Sequence, residues 1–214
     1  MNEFLNLFAD TMRDLNQILP GFENRGNVYL PGIGPYSEDE IVTRTINQLI
    51  DDNQIIEDDV HVRPNMELKV QLGLSDYRNV NNRLATPDLV YRNNIIEFKL
   101  CRPLKNNGDR EDTWFKKVFE PNSESYSAFL DVQKLCRFRD NFDRGNNWEK
   151  WVIIIGFERQ NETEYPLDPL FPRLFDFISS NILNLPREDF LEVERDMGRR
   201  HPVHQMIKLY AIRY

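Results

Sequence analysis

Residues 152–157 read Val-Ile-Ile-Ile-Gly-Phe, an unbroken apolar run entered through Lys150 and Trp151. A strand with one wet face alternates polar and apolar residues, so a run with no polar side marks a strand covered on both faces. That segment calls for a sheet held between two layers, and amphipathic helices are available to supply them. Phe4, Leu7, Phe8, Met12, Leu15, Ile18 and Leu19 recur at helical spacing and stop at Pro20-Gly21. A second helix begins after Ser37, its expected N-cap, in SEDEIVTRTINQLIDD. A third spans 123–142, with Phe129, Val132, Leu135, Cys136 and Phe138 toward one face.

Between these helices, residues 59–72 contain a strand-like stretch, in which MELKVQL (66–72) alternates apolar and polar residues. Residues 86–100, TPDLVYRNNIIEFKL, read as a tight hairpin turning at Asn93-Asn94. Residues 101–124 are charged and read as loop or short helix, while 158–200 is irregular, Pro-rich and then helical. MIKLYAI (206–212) is a closing strand. The order ααβββαβ(α)β predicts an α/β domain with a central mixed β-sheet flanked by helices.

The 214 residues suit one domain with a sizeable core, and 12% aromatic content excludes a mainly disordered chain. No stretch approaches the roughly 18 apolar residues needed to span a bilayer. The N-terminus has no basic region followed by an apolar run, so a soluble cytoplasmic protein without membrane contact is expected. Two cysteines, Cys101 and Cys136, cannot form a disulfide framework or a structural zinc site by themselves. The net charge of -8 argues against a protein that coats nucleic acid through bulk positive charge. It leaves room for one with a local basic face and carboxylates at a metal site.

The chemically informative feature is Pro87-Asp88 followed by Glu97-Phe98-Lys99. In a strand over 95–100, Ile96, Phe98 and Leu100 face one way, while Ile95, Glu97 and Lys99 face the other. With Asn93-Asn94 as the turn, Arg92 pairs with Ile95, Val90 with Glu97 and Asp88 with Lys99. Asp88 then shares the face of Glu97 and Lys99, about 5 Å from Lys99 and roughly 7 Å from Glu97 between Cβ atoms. Two carboxylates so placed can share Mg²⁺ or Mn²⁺, hard cations that keep water and accept phosphate oxygens. A lysine beside them could position or deprotonate an attacking water and stabilise a charged phosphate.

Pro87, Asp88, Glu97 and Lys99, with the element order over 37–157, resemble the PD-(D/E)XK nuclease superfamily, the restriction-endonuclease-like fold. The resemblance implies an αβββαβ core, Mg²⁺ held by Asp88 and Glu97, and hydrolysis of DNA, more rarely RNA. It frames the chain as one domain over 1–214: an N-terminal helix and loop (1–36), a catalytic core (37–157) and a C-terminal elaboration with its closing strand (158–214). It also implies a further carboxylate from the first core helix. Glu38 falls on the stripe of Ile41, Val42, Thr45, Ile46 and Leu49, whereas Glu40 points away and completes a capping box with Ser37. Glu38 is therefore the expected catalytic and metal-binding partner.

Arg102, Lys105, Arg110, Lys116 and Lys117 follow the motif strand and are candidates to grip phosphates, and Lys134 and Gln133 are candidates on the next helix. The resemblance implies a restriction- or defence-type endonuclease with DNA as partner, and cutting both strands implies a homodimer. His201 and His204 lack a third ligand and a helical spacer across Pro202, so no metal site is expected there, and Arg199-Arg200-His201 reads as a solvated turn. No P-loop, Rossmann, G-x-S-x-G or C-x-x-C pattern is present, so no nucleotide cofactor is expected.

Overall fold

The computed structural model describes residues 1–79, 81–120, 127–142, 148–181 and 190–213. Helix α1 (Asn2–Ile18) leads into a small antiparallel hairpin, β1 (Phe22–Asn24) and β2 (Asn27–Tyr29). Helix α2 (Glu38–Asp51) starts at Ser37, whose hydroxyl oxygen accepts the Glu40 N–H while Glu40 reaches back to the Ser37 N–H. Both halves of the capping box are thus present. Then come β3 (Val60–Val62), α3 (Met66–Gln71), β4 (Leu89–Tyr91) and β5 (Asn94–Cys101). Helices α4 (Lys116–Phe119) and α5 (Ala128–Phe142) precede β6 (Glu149–Glu158). After it, α6 (Leu170–Asn181), β7 (Phe190–Asp196) and β8 (Met206–Arg213) complete the described elements.

The fold is α/β. Its main sheet is mixed and six-stranded, in the order β3-β4-β5-β6-β8-β7, with β5 and β6 parallel and the other neighbours antiparallel. β6 lies between β5 and β8, and its apolar run serves two cores. Trp151, Ile153, Ile155 and Phe157 join Ile96, Phe98 and Leu100 of β5 beneath α1 and α2. Val152 and Ile154 join Ile95 and Cys101 on the opposite face, beneath α5 and α6. Gly156 leaves room for Leu167 to pack on the sheet: a Cβ there would stand 2.6 Å from a Leu167 methyl, which would have to move.

Four sequence expectations are corrected. Residues 66–71 are helical, not strand: the Asn65 side chain accepts the Leu68 N–H as an N-cap, Lys69 is buried, and Met66 and Val70 are exposed. The hairpin turns at Arg92-Asn93, not Asn93-Asn94. The buried Asn94 amide donates to Tyr91 O and accepts from Trp151, while Asp59 holds Arg92 at a left-handed φ of 53°. Residues 190–196, inside the segment read as irregular then helical, form the edge strand β7, whose alternation leaves Val193 buried. His201 is fully buried rather than on a solvated turn, and its ring stacks on the equally buried His204. The start of the helix expected over 123–142 lies partly outside the described residues; within them it begins at Ala128.

Candidate active site

β5 outruns its neighbour. β4 begins at Leu89, opposite Ile96, whereas β5 continues to Cys101. The amides of Phe98 and Leu100 on the overhanging edge therefore have no strand carbonyl to meet, and a buried unpaired N–H is costly. Two carboxylates take them. Asp88 Oδ2 accepts the Phe98 N–H at 2.8 Å, and Glu38 Oε2 accepts the Leu100 N–H at 2.6 Å. Asp88 lies just before β4 and Glu38 in the first turn of α2, so the sheet edge brings both acids to one place.

The turn at Arg92-Asn93 moves the register by two residues from the expected one. Continuing the pairing of Leu89 with Ile96 places Asp88 opposite Glu97 rather than Lys99. A two-residue shift preserves the face, so Asp88, Glu97 and Lys99 still share the side of the sheet that carries α5. Glu97 is 2% exposed and accepts hydrogen bonds from the Tyr77 hydroxyl and, at 2.8 Å, from Lys134 Nζ. Asp131 on α5 bridges the two lysines, 2.7 Å from Lys99 Nζ and 3.0 Å from Lys134 Nζ. Glu38 Oε1 lies 3.9 Å from Lys99 Nζ, and Arg63, held by Asp39, comes within 3.5 Å of Asp88 Oδ1.

Four carboxyl groups, those of Glu38, Asp88, Glu97 and Asp131, surround the two ammonium groups of Lys99 and Lys134, and Arg63 approaches Asp88 from outside. Burial pushes the Glu97 carboxyl up to about 8, against the pull of Lys134 and with the push of Asp88 and Asp131. Burial also raises Glu38, and Asp88 and Asp131 add to that. For Lys99, burial works to lower the pKa, but Asp131, Glu38 and Asp88 outweigh it and hold the ammonium well above its usual value. Lys134 is likewise raised, by Glu97 and Asp131 over the effect of burial. Both lysines remain charged, so at neutral pH they donate hydrogen bonds rather than take protons.

A cleft of about 440 Å³ opens beside this cluster, lined by Ser37, Glu38, Lys99, Arg102, Lys116 and Lys117 among others. Lys116 and Lys117 are exposed at its rim. Arg102 is mostly buried, and its guanidinium donates to Gly34 O and Tyr36 O. Lys105 lies outside the cleft in a neighbouring groove, and Lys134 lies inside the ionic cluster. Gln133 is half-buried on α5, and Arg110 pairs with Asp112 and sits over the Tyr165 ring. Glu40 stays in its capping box, away from the cluster.

Compared with protein-family models, curated proteins and solved structures, the chain matches none.

Sequence reasoning did not single out Tyr77, Asp131 and Arg63 as site residues. Tyr77 reaches Glu97 from a loop twenty residues earlier. Asp131 reads as one more polar residue on a helix, although its i,i+3 spacing to Lys134 is a usable signal for a shared face. Arg63 is placed by a left-handed backbone (φ 45°) whose N–H donates to Asp88 O.

Among the described residues, the three acids whose ligand oxygens all lie within 4.8 Å of one another are Asp168, Glu192 and Glu194, an exposed set that could hold a cation. The ammonium of Lys208 already reaches into it, bonding Asp168 and lying 3.6 Å from Glu194. Asp88, Glu97 and Glu38 do not form a triple of that kind. Asp88 and Glu97 offer a pair of oxygen donors, and Glu38 joins through Lys99. An excess of carboxyl over ammonium groups and a Glu97 carboxyl raised to about 8 are what a divalent cation would relieve. Mg²⁺ is commonly held by one or two carboxylates with water and phosphate completing its shell, so the residues fit it.

Proposed function

We propose that the chain is a Mg²⁺-dependent deoxyribonuclease with a restriction-endonuclease-like core, in which Mn²⁺ can replace Mg²⁺. The observation that carries this reading is the convergence of Asp88, Glu97 and Lys99 on one face of the β4–β5 hairpin, among more carboxyl than ammonium groups. Asp88 and Glu97 would hold the metal. When bound, Mg²⁺ supplies Lewis-acid stabilisation of a phosphoryl oxygen and lowers the pKa of a coordinated water.

The protein's own groups supply the rest. The Phe98 N–H fixes Asp88 Oδ2, and Oδ1, which Arg63 approaches to 3.5 Å, would face the cation. Tyr77 and Lys134 aim Glu97. Lys99, kept charged, orients a water and stabilises negative charge building on the phosphate; its raised pKa disfavours it as the proton acceptor. Glu38 steadies Lys99 from the helix side. Arg102, Lys116 and Lys117 bring positive charge to the cleft beside this centre. One such centre cuts one strand, so cutting both strands of a duplex calls for two copies. Among the described residues no helix is long and apolar enough to cross a membrane.

A second reading has one observation behind it. Every carboxylate in the cluster already has a partner within the protein, as in a buried ionic network that only supports the fold. The chain would then bind nucleic acid or protein without cutting.

The test is incubation with supercoiled plasmid, linear duplex, single-stranded DNA and RNA under Mg²⁺, Mn²⁺ or EDTA, beside Lys99→Ala. Metal-dependent DNA cutting that is lost in the variant supports the enzyme. Cutting of RNA alone moves the substrate. No cutting of any substrate, with no heat of Mg²⁺ or Mn²⁺ binding by calorimetry, favours the binding protein.

A further inference from the structure

A second groove, of about 710 Å³, runs between the β1–β2 hairpin and the turn closed by the Leu104–Arg110 bridge. It shares Ser37, Arg102 and Lys117 with the cleft at the candidate active site, so the two spaces join. The hairpin that walls it is well defined. Arg25 and Gly26 both take left-handed φ values, 52° and 78°, as a two-residue type I′ turn requires. Phe22 stacks on Tyr29 at 4.7 Å and packs against Tyr36, which ties the hairpin to the body.

Beside the cations Arg102, Lys105 and Lys117, the groove is lined by amide and aromatic side chains. Asn24 and Asn27 line one wall and Asn106 and Asn107 the other, with Tyr29 and Lys105 also lining the groove; the Asn107 amide is bonded to Asp109 and Asn106 Oδ1 to His204. Its two carboxylates are engaged locally, Glu40 with Ser37 and Glu111 with Thr113. Amides can donate to and accept from base edges, and aromatic rings stack on bases, but in a duplex those edges and faces are already used. The volume lies within the roughly 300–1,000 Å³ that encloses one compact ligand, the scale of a nucleotide or two and not of a double helix.

We infer that this groove holds unpaired nucleotides of the strand being cut, so that the substrate is DNA with a single-stranded portion beside the scissile phosphate. The inference rests on the nuclease reading for its link to the cleavage site, while the binding it describes can be measured separately. Bases enter between the hairpin and the 104–110 turn, and the backbone passes Arg102 and Lys117 toward Lys99.

The experiment measures fluorescence anisotropy of labelled DNA in EDTA and in Ca²⁺, comparing a single strand, a blunt duplex and a duplex with a single-stranded tail. The comparison is repeated with the double variant Asn27→Asp, Lys105→Glu, which places negative charge on exposed positions of both walls. A thermal unfolding curve establishes that the variant is folded. The expected result is at least about tenfold tighter binding of tailed or single-stranded DNA than of blunt duplex, with that preference lost in the variant. Equal binding of blunt and tailed DNA, an unaffected folded variant, no binding in either condition, or tighter binding of a matching RNA strand would each overturn the assignment. Cleavage that needs Mg²⁺ and Lys99 but ignores the tail would leave the nuclease and remove the groove. Tail binding through the groove by a protein that cuts nothing would do the reverse.

Discussion

Asp88 accepts the backbone N–H of Phe98 through one carboxylate oxygen, at 2.8 Å, and so continues the β4–β5 ladder past the point where β4 ends. A residue expected only to hold metal is thus also part of the sheet. Glu38 does the same for Leu100, and the pair makes the overhanging edge of β5 an end capped by acids.

Substitutions at Asp88 separate the two duties. Asp88→Ala leaves the Phe98 N–H unpaired and is expected to lower stability by about 1–3 kcal/mol in urea unfolding, and to abolish cleavage. Asp88→Asn keeps an oxygen to accept that N–H but forfeits the charge. It is expected to unfold close to the wild-type midpoint and still fail to cut. Equal destabilisation by both changes would remove the ladder role.

Lys134 is the nearest counter-charge to Glu97. Lys134→Met removes the ammonium that pulls the Glu97 carboxyl down, so that carboxyl, already raised to about 8, is held protonated further up the pH scale and the variant loses stability as pH rises. Millimolar Mg²⁺ is expected to restore more stability in this variant than in wild type, because the cation supplies what the lysine no longer does. Thermal unfolding with and without Mg²⁺ measures the difference; an identical shift in both proteins contradicts the placement of metal at Glu97.

The buried histidines set an acid limit. Burial pushes His201 down to about 4 and His204 well below the usual histidine range, with the Arg102 charge adding to both. Below pH ~6.5 the unfolded chain takes up protons that the folded imidazoles refuse, so stability present above that pH is lost as pH falls toward about 4. Glu38 and Glu97, with raised values, work in the opposite direction, so the informative quantity is a difference. His204→Phe keeps a ring to stack on His201 and removes one such site. Its unfolding free energy is expected to fall less steeply over that range than the wild type's, and parallel curves would refute the assignment.

Exposed lysines at the cleft rim make a salt prediction. If Lys116 and Lys117 each neutralise a phosphate, either alanine variant reduces the slope of log binding constant against log salt by about 0.7–0.9. An unchanged slope in DNA-binding titrations would place that lysine off the path of the strand.

The face of the hairpin was readable from the sequence even though its turn was not. Side chains alternate with period two, so a register error of two residues leaves Asp88, Glu97 and Lys99 together. The capping box separated Glu40 from Glu38 by helical geometry alone. Residues 66–71 misled because their alternation mimics a strand, while the deciding signal was a single cap at Asn65. β7 escaped because an edge strand buries little and so leaves a faint pattern. Tyr77 and Asp131 could not be read at all as partners of Glu97 and Lys99, since only the folded sheet brings a loop and a helix to those side chains.

The parallel pairing of β5 with β6 also has a consequence for synthesis. The β4–β5 hairpin can close as soon as its own residues emerge, but β5 gains its second neighbour only after α5 has crossed over, and β6 gains its own only when β8 is made. Loop-closure entropy delays such distant pairings. A chain growing from its N-terminus therefore carries the chemical groups of the cleft long before it can hold them rigid. If the cleft cuts DNA, the nascent protein stays harmless until its last sheet strand is in place.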